Sequence, residues 1–235
     1  ITIEGTDGAG KSTFVPEMKA MLEAQGHEVI LTREPGGTPF AEEIRELILN
    51  KKMDTMTALL LAFASRNEHI QNVIKPALES GKYVLSDRFT DSTYAYQVAG
   101  QGVPKEYVEV LEHMVQKQLK PDMTLIFTVP VEVSRERLGR TGKVPDNFES
   151  QSDQFFQNVL DGYLEIAKNE LAQIGLNSEK RNYNVLKANS QSPTIMTIAD
   201  DFIHYSNPRA LTVREMARLQ SFDDSFVFQG KRNTG

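Results

Sequence analysis

Gly5-Thr6-Asp7-Gly8-Ala9-Gly10-Lys11-Ser12 has the spacing G-x-x-x-x-G-K-S of a phosphate-binding loop. Glycines let the backbone close around a polyphosphate and point N–H groups at it. The helix that follows offers its unpaired N–H groups and positive dipole end to the same anion. Lys11 is placed to reach the β- and γ-phosphates, and the Ser12 hydroxyl to take a position on Mg²⁺. The flanks fit. Ile1-Thr2-Ile3-Glu4 alternates as a short strand, and Phe14, Met18, Met21 and Leu22 recur at helical spacing. Gly5, Thr6, Asp7, Gly8, Ala9, Gly10, Lys11, Ser12 and Thr13 are therefore the expected ATP-binding residues.

Working outward, the chain alternates between strand and helix patterns. A helix to about Ala24 stops at Gly26, and Glu28–Thr32 reads as a buried strand. Arg33-Glu34-Pro35-Gly36-Gly37-Thr38 reads as a turn. Phe40, Ile44, Leu47 and Ile48 then define one face of a helix, with Arg45 on the other. A long helical pattern over 55–80 contains Pro76, which is expected to kink or divide it. Tyr83–Arg88 reads as a strand that delivers Asp87 and Arg88 to its C-terminal edge, where ligands of open α/β sheets collect. Asp87 is the candidate carboxylate on the Mg²⁺ side. Helices are expected over 92–99, 104–119 and 131–138, and a strand over Thr124–Val129. Phe155, Phe156, Val159, Leu160, Tyr163 and Ile166 mark a long amphipathic helix, with a last strand at Tyr183–Lys187 and a last helix at Ile195–Ile203. This order predicts an α/β fold, a parallel sheet with helices on both faces of the P-loop nucleotide-binding type.

Between these elements, Arg137–Asp146 combines glycines, a proline and three cations, the composition of a basic lid over about 137–149 that closes on phosphates and excludes water. The chain of 235 residues suffices for one sizeable core. Its net charge of −6 argues against a general nucleic-acid binder. It has no cysteine, hence no thiolate nucleophile or disulfide framework, and no apolar run long enough for a membrane span; no secretory signal is visible, which points to the cytoplasm. His27, His69, His113 and His204 are scattered and receive no metal or catalytic role. Ile1 already lies inside the expected first strand, and Asn233-Thr234-Gly235 closes no element, so the sequence reads as a piece of a longer reading frame.

A P-loop alone serves many activities. No Asn-Lys-x-Asp segment of a GTPase occurs, and the short insertions and basic lid favour a small-molecule phosphotransferase. Four runs then narrow it: Thr32-Arg33-Glu34-Pro35-Gly36-Gly37-Thr38, Ala41-Glu42-Glu43-Ile44-Arg45, Phe63-Ala64-Ser65-Arg66, and Asp87-Arg88-Phe89-Thr90-Asp91-Ser92-Thr93-Tyr94-Ala95-Tyr96-Gln97. In order and spacing they resemble thymidylate kinases of the bacterial and phage type, over roughly residues 1–203. The resemblance implies transfer of the ATP γ-phosphoryl group to dTMP, with Mg²⁺, in a homodimer. It implies that Phe63 stacks on thymine and Arg66 bonds the base edge. Arg45 and Arg88 would hold the dTMP phosphate, with Arg33 nearby. Gln97 and Ser92 or Thr93 would complete the base pocket, Tyr96 would exclude a 2′-hydroxyl, and Asp7 would contact the sugar. Because the loop has no arginine at Gly8 or Ala9, the cation on the transferred group is expected from the lid, as Arg137 or Arg140, with Lys143 weaker.

Two features depart from that pattern. The family's lid usually ends in Asp-Arg before a hydrophobic residue and Glu, whereas this chain has Asp146-Asn147-Phe148-Glu149, and Pro145 is extra. The altered lid leaves open a nucleotide-binding protein with impaired catalysis. From about residue 204 the composition turns basic, with five basic side chains against three acidic ones. Asn207–Phe222 resembles a late motif of DNA cytosine-5 methyltransferases, a family that needs a Pro-Cys nucleophile. The tail over 204–235 therefore reads as an inactive fragment, possible as one side of a kinase–methyltransferase junction.

Overall fold

The computed structural model describes residues 1–142 and 144–173. Four strands, β1 (Thr2–Gly5), β2 (Val29–Arg33), β3 (Tyr83–Asp87) and β4 (Thr124–Phe127), form a parallel sheet in the order β2-β3-β1-β4. The chain crosses over between them through helices, as parallel pairing requires. The α/β reading is borne out. The expected strand at Tyr183–Lys187, the helix at Ile195–Ile203, the methyltransferase-like tail and Lys143 lie outside the described residues.

Strand alternation separates two cores. Ile3, Leu85 and Val29 point to one face and meet Val15 and Met18 of α1 (Lys11–Ala24). Val84 and Ile30 point to the other face and meet Ile70, Ile74 and Ala77. Those residues belong to the continuation of α3 (Thr55–His69) over Ile70–Ile74 and to α4 (Lys75–Glu79). Helical residues run unbroken from α3 through Ile70–Ile74 into α4, which contains Pro76. The turn before it widens to π-helical bonding over Ile70–Ile74, which accommodates a residue with no N–H to give. A third cluster packs α8 (Asp153–Gln173) through Phe155, Phe156, Val159 and Tyr163 against Ala95 and Tyr96.

Helix α2 (Pro39–Asn50) starts at Thr38, whose hydroxyl accepts from the Ala41 N–H at 3.1 Å. Its buried face is Ala41, Ile44 and Ile48, one step round from the expected stripe. Phe40 and Leu47 are exposed. The segment after β3 is α5 (Thr90–Thr93), followed by π-helical turns over Tyr94–Gly100. Helix α6 (Lys105–Gln116) and helix α7 (Val131–Arg140) complete the set. Because α7 runs to Arg140, the first part of the expected lid is helical: Arg137 and Arg140 stand in the last turn of α7 rather than in a loop.

Candidate active site

The loop after β1 is shaped by its glycines. Gly8 and Gly10 take φ of 74° and 99°, a region that favours glycine, and a Cβ on Gly5 would lie 1.9 Å from the Phe127 carbonyl oxygen of β4. Lys11 is buried and folds back over the loop, Nζ donating to the carbonyls of Gly5 and Thr6 at 2.9 Å each. Burial and the nearby Arg88 cation pull its pKa down to about 8, against the opposing pull of Asp7, Asp87 and Glu4. Helix α7 braces the loop from outside. The Ser134 hydroxyl donates to the Asp7 carbonyl at 2.6 Å, and Arg137 Nη1 donates to the Gly8 carbonyl at 2.9 Å. Arg140 instead pairs with Glu136 one turn back, on an exposed face of α7. Of the two expected lid cations, the fold brings Arg137 to the phosphate loop and leaves Arg140 away from it.

Beside the loop opens a cleft enclosing about 710 Å³ between atoms, part of it open to solvent. Asp7, Arg45, Arg66, Arg88, Ser92, Thr93, Tyr96 and Gln97 all line it, as the sequence leads one to expect. Arg88 is its hub. The backbone there has φ 74°, a left-handed conformation that costs a non-glycine residue about 1–2 kcal/mol and that turns the side chain back toward β1. Nη1 donates to the Gly5 carbonyl, Ser92 Oγ and Tyr163 Oη at 3.0, 3.1 and 3.0 Å. Nη2 donates to Asp7 Oδ1 at 2.5 Å and to Tyr96 Oη at 3.1 Å. Burial pushes the Asp7 carboxyl up, but Arg88, Lys11 and the Tyr96 hydroxyl outweigh it and hold the group below its ordinary value. Arg45 reaches in from α2, Nη1 donating to the Pro35 carbonyl at 2.9 Å, across a cis Glu34–Pro35 peptide from β2. Burial and repulsion from Arg33 and Arg88 lower its pKa, against the opposing pull of Glu42 and Asp87.

Two of the expected site residues lie off the cleft wall. Phe63 does not line the cleft. Helical spacing from Leu59 turns it into a core formed with Val103 and Val108, and Ala58, Ala62 and Arg66 form the α3 wall. Phe63 serves the site indirectly, since the Arg66 guanidinium stacks over its ring at 4.7 Å. Arg33 does not reach the cleft either. It forms an exposed double hydrogen bond with Glu42 at 3.1 and 2.8 Å, and Glu42 also accepts from the Gly37 N–H, so local partners on α2 capture it.

The sequence did not flag several residues behind the wall. Glu4 is fully buried and accepts from the Phe89 N–H, Ser92 Oγ and Tyr163 Oη at 2.6, 2.6 and 3.1 Å. Burial raises its pKa despite those donors and Arg88. Glu34 takes Arg66 Nε at 2.7 Å on one oxygen and His69 Nδ1 at 2.9 Å on the other, and His69 Nε2 meets Thr32 Oγ1 at 2.6 Å. A lone acid closing an apolar strand and a histidine on a core helix face were the signals available for Glu4 and His69. For Tyr163 and Ser134 the sequence carried none beyond helical spacing, and for Asn147 and Phe148 only the departure from the family's lid pattern.

A phosphate loop facing a cleft of converging arginines is an arrangement for two phosphorylated ligands. Comparison with known proteins agrees. The family model described as thymidylate kinase matches residues 3–189. The chain belongs to the thymidylate kinase family. Relatives named thymidylate kinase include one from Methylobacillus flagellatus, 53% identical over 164 residues that cover 70% of this chain and 80% of the relative. One from Cupriavidus necator is 52% identical over 166 residues, 70% of this chain and 81% of the relative. One from Pseudomonas savastanoi is 50% identical over 179 residues, 75% and 85% of the two chains. The chain is an enzyme that phosphorylates dTMP at the expense of ATP. Among the described residues no helix is long and apolar enough to cross a membrane.

Proposed function

We propose that the phosphate loop holds ATP and the arginine-lined cleft holds dTMP, so that Asp7 and Arg88 mark the point where the two meet. The observation that carries this is the joint itself. Arg88 binds a loop carbonyl, a loop carboxylate, the Ser92 and Tyr96 hydroxyls of the cleft wall and the buried Tyr163 hydroxyl behind it, which ties the donor and acceptor halves of this reading together. Phosphoryl transfer asks the protein mainly for alignment and charge neutralisation. Lys11 and the loop N–H groups neutralise the ATP side, Arg45 and Arg88 the dTMP phosphate. Arg137, bonded to the loop at the Gly8 carbonyl, would supply the cation on the transferred group. Thr93 and Gln97 present hydrogen-bonding atoms to the base, and Tyr96 crowds the sugar.

Mg²⁺ fits the residues present. Asp87 Oδ1 and Thr6 Oγ1 are buried without a hydrogen-bond partner, and the Ser12 hydroxyl stands at the exposed start of α1. Hard oxygen donors of this kind suit Mg²⁺. Ser12 and Asp87 would hold it, and it would supply positive charge to the ATP phosphates. The reading extends to a homodimer through α3 and α6, where Leu60, Tyr107, Val110 and Met114 are exposed apolar side chains. The methyltransferase-like run at 207–222 adds no activity to this reading, since the chain has no cysteine for that chemistry.

Separate titrations test the two halves. Lys11→Ala should weaken ATP binding and leave dTMP binding within about threefold, and Arg45→Ala should do the reverse, losing about tenfold or more of dTMP affinity with the phosphate contact. Both variants losing the same ligand would contradict the division.

A further inference from the structure

Asn147 stands where the family pattern leads one to expect a lid cation, and the structure gives it a different task. Its side-chain amide donates to the carbonyls of Ile48 at 3.0 Å and Lys51 at 2.8 Å, and its backbone N–H donates to the Leu49 carbonyl at 2.9 Å. These carbonyls belong to the C-terminal end of α2, where a helix has no donors of its own left. On one side of Asn147, Asp146 Oδ1 accepts from the N–H groups of Phe148 and Glu149 at 2.8 Å each, fixing the bend. On the other, Phe148 is delivered to the wall of the cleft together with Asp146.

The cleft has a use for that ring. With Phe63 turned into the core, α3 contributes Ala58, Ala62 and Arg66 to the wall, and no aromatic ring. Three aromatic residues line it: Phe89, Tyr96 and Phe148. Phe89 is buried under Arg66, whose guanidinium lies 5.2 Å from its ring, and the Tyr96 hydroxyl is held by Asp7 at 2.7 Å. Phe148 is only half-buried. It packs edge-on to Tyr96, centroids 5.6 Å apart at 88°, and against Phe155 at 6.4 Å and 29°. Its supports come from two helical segments, which leaves the rest of the ring to the cleft.

We propose that Phe148 contacts the acceptor nucleoside and that Asn147 is the positioning residue that holds it there. This rests on reading the cleft as the dTMP site. Arg137 stands on the phosphate loop at the Gly8 carbonyl, and the amide at 147 clamps its segment onto α2.

The test uses the full chain, with KM for dTMP and KM for ATP measured separately. Phe148→Ala should raise KM for dTMP about tenfold or more, on the scale of a lost stacking contact, with KM for ATP unchanged within about twofold. Asn147→Ala should raise KM for dTMP by a smaller factor, about threefold, in the same direction. Because the protein has no tryptophan, Phe148→Trp supplies a single indole, whose emission should change saturably with dTMP and not with ATP alone. Unchanged KM for dTMP in both Phe148→Ala and Asn147→Ala, or a silent Phe148→Trp indole while calorimetry registers dTMP binding, would overturn the proposal. Wild-type protein that binds no dTMP would instead overturn the assignment of the cleft, and this inference with it.

Discussion

Arg88 Nη2 and Asp7 Oδ1 lie 2.5 Å apart, a charge-assisted hydrogen bond that, with the bond from Arg88 Nη1 to the Gly5 carbonyl, ties the arginine-lined cleft to the phosphate loop. Replacing Arg88 by Ala removes the acceptor cation and leaves Asp7 and the buried Glu4 without their positive neighbour. A fall in kcat of about 10³-fold is expected, on the scale of removing preorganised charge from a transfer site. Arg88→Lys keeps the charge but not the fork that serves five partners, so it should recover little of the loss. Single-turnover rates at saturating dTMP measure this. Near wild-type kcat in Arg88→Ala would remove Arg88 from the reaction.

The lowered pKa of Lys11 gives the reaction a basic limb. The ammonium form binds phosphate, and it is the form lost as pH rises through about 8. kcat/KM for ATP reports groups of the free enzyme, so it should be level below that pH and fall about tenfold per unit above it. Lys11→Arg should abolish the inflection, because a guanidinium does not deprotonate in this range. A profile that stays level to about pH 10 would show that Lys11 does not titrate there.

Phe63 separates structure from binding. Its ring fills the core beside Leu59, Val103 and Val108. Phe63→Leu should therefore lower stability by about 1–3 kcal/mol, in the range of core substitutions that change shape and volume, while KM for dTMP changes less than about threefold. Thermal unfolding and steady-state kinetics on the same preparation check both. A tenfold rise in KM without a loss of stability would put Phe63 back on the base.

The outcome for Phe63 shows where the sequence was legible. The phosphate loop is read from local spacing, and its geometry follows from glycines at positive φ, so Gly5–Ser12 appears in the structure as expected. The parallel sheet follows from alternation of short apolar runs with helical ones. Arg45, Arg88, Ser92, Thr93, Tyr96 and Gln97 also reach the cleft as expected, because each sits near a strand end or on a helix beside it. A helix position, by contrast, turns by 100° per residue, and the apolar run Leu59–Phe63 does not say which of its residues faces core and which faces ligand. Arg33 was lost to Glu42, a partner nine positions away that only the folded turn brings within reach. Tyr163, Glu4 and Asn147 act through contacts spanning 159 and up to 99 residues, and no local pattern encodes those.

The exposed stripe of Tyr107, Val110 and Met114 on α6, beside Leu60 of α3, is the face assigned to a second copy of the chain. Sedimentation equilibrium should return a dimer, and Val110→Asp together with Met114→Glu should return a monomer, since charges on an apolar interface are left unpaired on association. A monomeric wild-type protein at micromolar concentration would exclude this face as a stable interface.

The most direct measurement is ADP release by the purified protein with ATP and Mg²⁺ against a panel of nucleoside monophosphates. Turnover with dTMP well above that with UMP is the result predicted by a cleft built from Arg45, Arg88, Gln97 and Tyr96 beside the phosphate loop. No turnover with dTMP, or equal turnover with dTMP and UMP, would contradict it.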